Sequence, residues 1–378
     1  MSEKPLVSIE DNFGGLTDSR VEGRCSYPLV EVITIAICAI IAGANSWVEV
    51  ETFGKSKEKW LRERLKLENG IPSHDTFGDV FGMVDAEEFQ SSFTRWVGQA
   101  FGATRGQVIA IDGKVTRRSH DKSISKDAIH LVSAWASGSG IILGQRQVDG
   151  KSNEITAIPE LLCLLDISGC IVTIDAMGCQ KKIARIIRDE NADYLLCVKE
   201  NQANLWQDIQ DWFAYADQVD FHGMTHDYHQ TINKGHGRIE IRCCWTVSDP
   251  LAFEYIRHHE GWVDLQTIVR LYRERRFPDR IEKETSYYIS SLPPRAPLIL
   301  DASRLHWSVE NSLHWVLDVI FRDDDSRIRK NNGPQNMSLL RRLALNIIKR
   351  DTSKGSLRQK RYRAALDDSF LLQLLSLI

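Results

Sequence analysis

No stretch of this 378-residue sequence is apolar for long enough to cross a bilayer. The most apolar run, VITIAICAIIAGA (Val32 to Ala44), is 13 residues long and follows Glu31, which reads as a buried helix. The N-terminus, MSEKPLVSIEDNFGG, lacks a basic segment leading into an apolar one, so no signal peptide is expected. The eight cysteines form no CxxC pair and no Cys/His spacing of a zinc site. Most lie in apolar runs such as ITIAICAII and DYLLCVK, where a thiol packs as a small hydrophobe; reduced core thiols in a cytoplasm are the expectation. GxSxG and the P-loop are missing, and SGSG lacks the third glycine of a dinucleotide fingerprint, so no nucleotide cofactor is expected.

Positive charge is also scarce in the sum, which is -3. Its distribution is uneven. From Ser326 to Arg363 twelve basic residues face one acid, Asp351, and a second basic cluster, KVTRRSHDKSISK, begins at Lys114. Local fields rather than the sum govern phosphate binding, so both clusters are candidate nucleic-acid surfaces, with solvated helix faces as the plain alternative.

The pattern along the chain changes twice. Residues 28–100 carry apolar positions at helical spacing, broken by a turn at GIPSHD, and predict an all-α unit. From Gly106 come three short β-rich runs, QVIAID, AIHLVSAWAS and GIILGQRQV, which predict an antiparallel meander. Two βα units follow: a helix from SNEITAIPELL, with Ser or Asn as its cap and an early Glu, then IVTID, QKKIARIIRDEN, DYLLCVK and ANLWQDIQDWFAYA. Together these describe a mixed five-stranded sheet with helices on its faces, in an α/β fold. Residues 219–292 read as a β-rich insertion before a last helix; the histidines of HGMTHDYH within it read as surface.

Three acids stand out. Asp112 ends the first strand and Asp175 the fourth, at the strand ends where α/β sheets bind ligands. Glu310, in HWSVENSLHWVLD, borders an apolar helical stripe made by Leu305, Val309, Leu313, Val316 and Ile320. Three hard oxygen donors on rigid elements suit Mg²⁺, and two such ions support in-line phosphoryl transfer. Strand-end aspartates also serve as helix caps, and Glu310 between His306 and His314 also reads as a hydrogen-bond network or a zinc site.

The motifs YPLVEVITIAICAIIAGANSW, GIPSHDTF, VIAIDGK, KSNEITAIPELL, TIDAMGCQKKIA, DYLLCVKENQ, GHGRIEIR, YYISSL and HWSVENSLHWVLDV occur in one order over nearly the whole chain. In this the sequence resembles the H-repeat-associated transposases of bacteria, within the DDE superfamily. The resemblance implies an RNase H-like catalytic core over 104–350 with the insertion at about 219–292. An N-terminal helical domain over 1–103 precedes it and a basic helical tail over 351–378 follows.

It also implies Asp112, Asp175 and Glu310 as the DDE triad holding two Mg²⁺ or Mn²⁺ ions. Lys114, Arg117 and Arg118 are then candidates for the scissile strand, Arg238 for transposon-end DNA, and Arg358, Lys360, Arg361 and Arg363 for the duplex. Lys199 opens Lys-Glu-Asn-Gln where the family pattern has Lys-Gly-Asn-Gln. Relatives place Tyr, Arg and Lys around the glutamate; here Ser303, His306 and Leu317 stand there, leaving His306 as a hydrogen-bond donor to DNA. The expected partners are terminal-repeat and target DNA and a second copy of the chain, in the cytoplasm at the nucleoid, with no membrane. The alternatives are a DNA-binding relative without catalysis, inactive or domesticated, and a metal-dependent nuclease without strand transfer.

Overall fold

The computed structural model describes residues 7–21, 23, 25–102, 104–120, 127–148, 153–235 and 237–377. Lys122 and Lys126 of the first basic cluster, and the histidine of GHGR, lie outside them. Six helices come first: α1 (Val7–Phe13), α2 (Leu29–Ile41), α3 (Trp47–Ser56), α4 (Glu58–Arg62), α5 (His74–Met83) and α6 (Ala86–Phe101). Their starts follow capping chemistry: Ser46, Ser73 and Asp85 each accept a backbone N–H of the first turn. Helix α2 is the expected buried one, with Val32, Ile33 and Ile35 through Ile41 almost wholly withdrawn from solvent.

The meander forms as β1 (Val108–Val115), β2 (His130–Ala136) and β3 (Ile141–Val148); α7 (Glu154–Leu162), β4 (Ile171–Ile174), α8 (Lys181–Asp189), β5 (Asp193–Val198) and α9 (Ala203–Gln218) follow. β1 pairs β4 in parallel and β4 pairs β5 in parallel, while β2 runs antiparallel to its neighbours β1 and β3. The insertion contributes β6 (His226–Gly235), β7 (Arg238–Val247), α10 (Pro250–Tyr255), β8 (Thr267–Arg276) and β9 (Ile281–Ser290). Here the five-stranded expectation is corrected. β9 hydrogen-bonds to β5, so the insertion prolongs the sheet into nine strands in the order β3-β2-β1-β4-β5-β9-β8-β7-β6. A strand edge at β5 offers unpaired backbone groups, and the returning β9 satisfies them.

The chain closes with α11 (Ala296–Val309), a π-helical turn over Glu310–His314, α12 (Trp315–Val319), α13 (Gly333–Arg350), α14 (Leu357–Leu366) and α15 (Asp368–Leu375). One apolar core runs from Ile9 in α1, through α2, one face of the sheet and α13, to Leu375 in α15. The C-terminal segment is therefore packed into the body of the protein. The opposite face of the sheet meets α11, where Val108, Ile171 and Leu195 pack on Ile299 and Ala302.

Candidate active site

Parallel pairing places the first two acids. The register that sets Ile111 beside Ile174 is the last step of the β1–β4 pairing. Asp112 follows inside β1, which runs on to Val115 and so corrects the expectation that Asp112 ends the strand; Asp175 follows just past the end of β4, on a neighbouring strand about 4.8 Å away. Both share the side-chain parity of Val108 and Ile171, the α11 face of the sheet. Helix α11 crosses β1 and β4 on that face, and its His306 shares a hydrogen bond with Thr173 of β4, Nδ1 to Oγ1, at 3.1 Å. Glu310 follows directly at the start of the π-helical turn. One extra residue in a turn re-aims the side chains after it, so the continuous 3.6-residue helix assumed from the sequence is corrected from Glu310 onward. The glutamate itself is exposed, on the wall of a cavity of about 440 Å³ shared with Lys114, Arg117, Asn311, His314 and Asp318.

Asp112 is pushed up to about 7, chiefly by burial; its own Gly113 N–H opposes the rise, and the charges of Asp175, Glu154 and Glu310 add to it. Burial also raises Asp175, with Glu154 the main repelling charge and Lys199 relieving it. His314 Nδ1 stands 3.6 Å from Asp112 Oδ2, and its Nε2 has no hydrogen-bond partner among the described residues. Burial holds this imidazole down to about 4, aided by Arg342 and Lys114, so it is neutral at physiological pH. Carboxylates that repel one another beside an unpartnered neutral imidazole nitrogen fit a divalent cation in donor chemistry. As placed, no three Asp, Glu, His or Cys side chains among the described residues are grouped to hold an ion, so the ready ligand shell expected from the sequence is not formed.

Several cations expected on DNA are engaged elsewhere. Lys114 is buried, 2.7 Å from Asp318 and 3.1 Å from Asp324. Arg117 and Arg118 are exposed and meet Asp324 and Asp325. His306 is 7% exposed, with its ring held on Thr173, which corrects its assignment to DNA. Of the twelve cations in 326–363, four are buried: Arg341, Arg342, Lys360 and Arg361. Lys360 pairs with Asp351, and Arg361 donates to the carbonyls of Ile40, Ala44 and Ile320, so neither lies on a duplex surface. Arg358 and Arg363 remain exposed, and Lys199 is exposed beside Asp175 in a cavity of about 810 Å³.

Two features escape a reading of the sequence. Glu154 is legible there only as an early helix residue within KSNEITAIPELL. The other is a cleft of about 310 Å³ lined by Arg238, Arg242, Arg273, Arg275 and Arg304, the first four paired with Glu240 or Glu284 in the same lining, which reaches Asn311 beside Glu310. Strand alternation scatters the four arginines of β7 and β8 along the sequence while placing them on one face, where Arg304 of α11 meets them.

Residues 10–97 match the family described as DDE_Tnp_1-associated, and residues 103–347 the one described as Transposase DDE domain. The chain is 39% identical over 376 residues to "Putative transposase YncI" of Escherichia coli O157:H7, covering 98% of this chain and 95% of that one. It is 37% identical over 379 residues to "H repeat-associated putative transposase YhhI" of Escherichia coli K12, covering 98% of each. Among solved structures, the piggyBac transposase synaptic complex with hairpin DNA covers 98% of this chain and 77% of its own, at 12% identity and a TM-score of 0.41.

Proposed function

The chain belongs to the DDE transposase family, and from that premise we propose that it cuts DNA at the ends of an insertion sequence and joins the freed 3'-hydroxyl to target DNA, with Asp112, Asp175 and Glu310 as its metal-binding acids. The observation that supports this reading is the parallel register of β1 and β4, whose last pair, Ile111 and Ile174, is directly followed by Asp112 and Asp175, on the face crossed by the helix leading to Glu310. The β1–β5 order, with β1, β4 and β5 parallel, agrees with an RNase H-like core.

Two Mg²⁺ or Mn²⁺ ions would supply an activated water or 3'-hydroxyl and stabilise the leaving oxygen. The protein's share is to bind and orient. Asp112 inside β1 and Asp175 just past β4 hold the neighbouring positions, and Glu310 approaches from the cavity wall. His314, neutral beside Asp112, adds no charge there. Arg238 and its neighbours in the cleft, with Lys199 at the other cavity, would carry the DNA backbone past the acids. A homodimer acting on two element ends at the nucleoid completes the reading.

The test uses the purified chain, Mg²⁺ and a duplex bearing the DNA that flanks its gene. Cleaved ends together with joined products support a transposase. Nicks without joining indicate a nuclease, and binding without cleavage a DNA-binding relative.

A further inference from the structure

Glu154 opens α7, the helix that follows β3, and packs against the face of the sheet opposite α11. Its Oε1 lies 2.8 Å from His130 Nε2. The same oxygen stands so close to the backbone after Asp112 that a Cβ added at Gly113 would meet it at 2.1 Å, and His130 Nε2 at 2.7 Å. Position 113 thus has room for a carboxylate from α7 only because it carries no side chain. Asn153 fixes the helix start by accepting the N–H of Ile155, which sets Glu154 in the first turn. Asp112 is thereby approached by acids from both faces of the sheet, Glu310 from the α11 side and Glu154 from the α7 side.

We propose that Glu154 is a fourth carboxylate of the divalent-metal site read at Asp112 and Asp175, clamped by His130 beside Asp112. This rests on the reading of those aspartates as metal ligands. Family membership, established independently of the acidic grouping, supplies the expectation of a divalent cation there. A structural glutamate would sit equally well at a helix N-terminus with a histidine partner. It would have no reason to reach into the space that Gly113 leaves open directly after Asp112. A cation favours carboxylates gathered in this way, and Mg²⁺ accepts oxygen ligands directly or through its retained waters. His130, across the β1–β2 pair at the position opposite Val115, is then a positioning residue that holds the carboxylate toward the strand end.

The experiment is Mn²⁺ binding by calorimetry, with thermal unfolding measured with and without Mn²⁺, on the full chain as wild type, Glu154→Gln, His130→Gln and Asp112→Asn. Glu154→Gln should weaken Mn²⁺ binding on the order of tenfold or more, and shrink the Mn²⁺-dependent rise in Tm. Without metal its Tm should hold or rise, because a repelling charge has gone. His130→Gln should weaken Mn²⁺ less, since the carboxylate remains. If Glu154→Gln lowers the metal-free Tm and binds Mn²⁺ as wild type does, while Asp112→Asn loses binding, Glu154 is structural and only this inference falls. Should Asp112→Asn bind Mn²⁺ unchanged, the reading of the aspartates falls, and this inference with it.

Discussion

His306 and Thr173 share one hydrogen bond of 3.1 Å, and it fastens the helix that presents Glu310 to the strand that leads into Asp175. Both residues are buried, so the bond is shielded from water and ties two site-bearing elements together. Burial holds His306 down to about 4, below the ordinary value of 6.5.

That shift sets a pH dependence. A group whose folded value is depressed contributes stability that is present above its unfolded value and lost as the pH falls toward the folded one. From about pH 6.5 down to about 4, His306 should therefore cost the fold up to about 3 kcal/mol, at roughly 1.4 kcal/mol per unit. His306→Asn removes this component, so the stability gap between wild type and variant, measured by urea unfolding, should narrow as the pH drops across that window. A gap that stays constant from pH 7 to 4 would mean the imidazole does not stay neutral in the fold.

Asp112→Asn should reduce strand cleavage to below about a hundredth of wild type, since even residues outside the direct ligand shell are commonly worth roughly ten- to a hundredfold. Binding to element-end DNA should persist or tighten with one repelling charge removed. The metal-free variant should also melt higher than wild type at pH 7.5, because ionising a buried carboxyl pushed up to about 7 beside other acids costs stability. Equal cleavage by variant and wild type in Mg²⁺ sinks the triad.

Much of this architecture is legible in the sequence and some is not, for identifiable reasons. The buried runs VIAID and IVTID read as strands because parallel sheet covered on both faces selects unbroken apolar stretches. Their pairing as neighbours joins Val108 to Ile171 across β2, β3 and α7, beyond the reach of any local pattern. The junction of β9 with β5 joins residues nearly a hundred positions apart, and no local pattern encodes it. The twelve cations of 326–363 mislead because a charge tally ignores partners: Asp323 takes up Arg341, and Lys360 reaches Asp351. Glu154 is hidden for a different reason, since its significance depends on Gly113 and His130 from two other strands.

Arg341 and Asp323 form an ion pair at 2.6 Å with almost no exposure, and Arg341 also donates to the Asn45 carbonyl before α3. Removing one partner strands a buried charge, so Arg341→Met should cost about 3–5 kcal/mol. Combining it with Asp323→Leu should recover only part of that loss, since the stranded Asp323 charge is then gone but the buried Arg342 also loses the Asp323 charge that stabilises it. Denaturant titrations of the two single variants and the double decide it. A double variant no more stable than Arg341→Met alone rules out this coupling.

The last prediction locates the DNA path. Each phosphate that the protein ceases to neutralise flattens the dependence of log K on log salt by about 0.9 for duplex DNA. Arg238, Arg275 and Arg304 line the cleft that leads to Asn311 beside Glu310. Replacing all three with Gln should flatten the slope by about two to three units and weaken binding at every sequence. Arg358 and Arg363 are the exposed cations of α14, and their joint replacement should remove at most about two units. Arg361→Gln should behave differently from both. Its guanidinium serves the carbonyls of Ile40, Ala44 and Ile320, so its removal should lower stability by about 3 kcal/mol and leave the slope of the folded fraction unchanged. If the triple cleft variant folds and keeps the wild-type slope, the cleft does not carry the backbone, and the path runs over α14 or past Arg117 and Arg118.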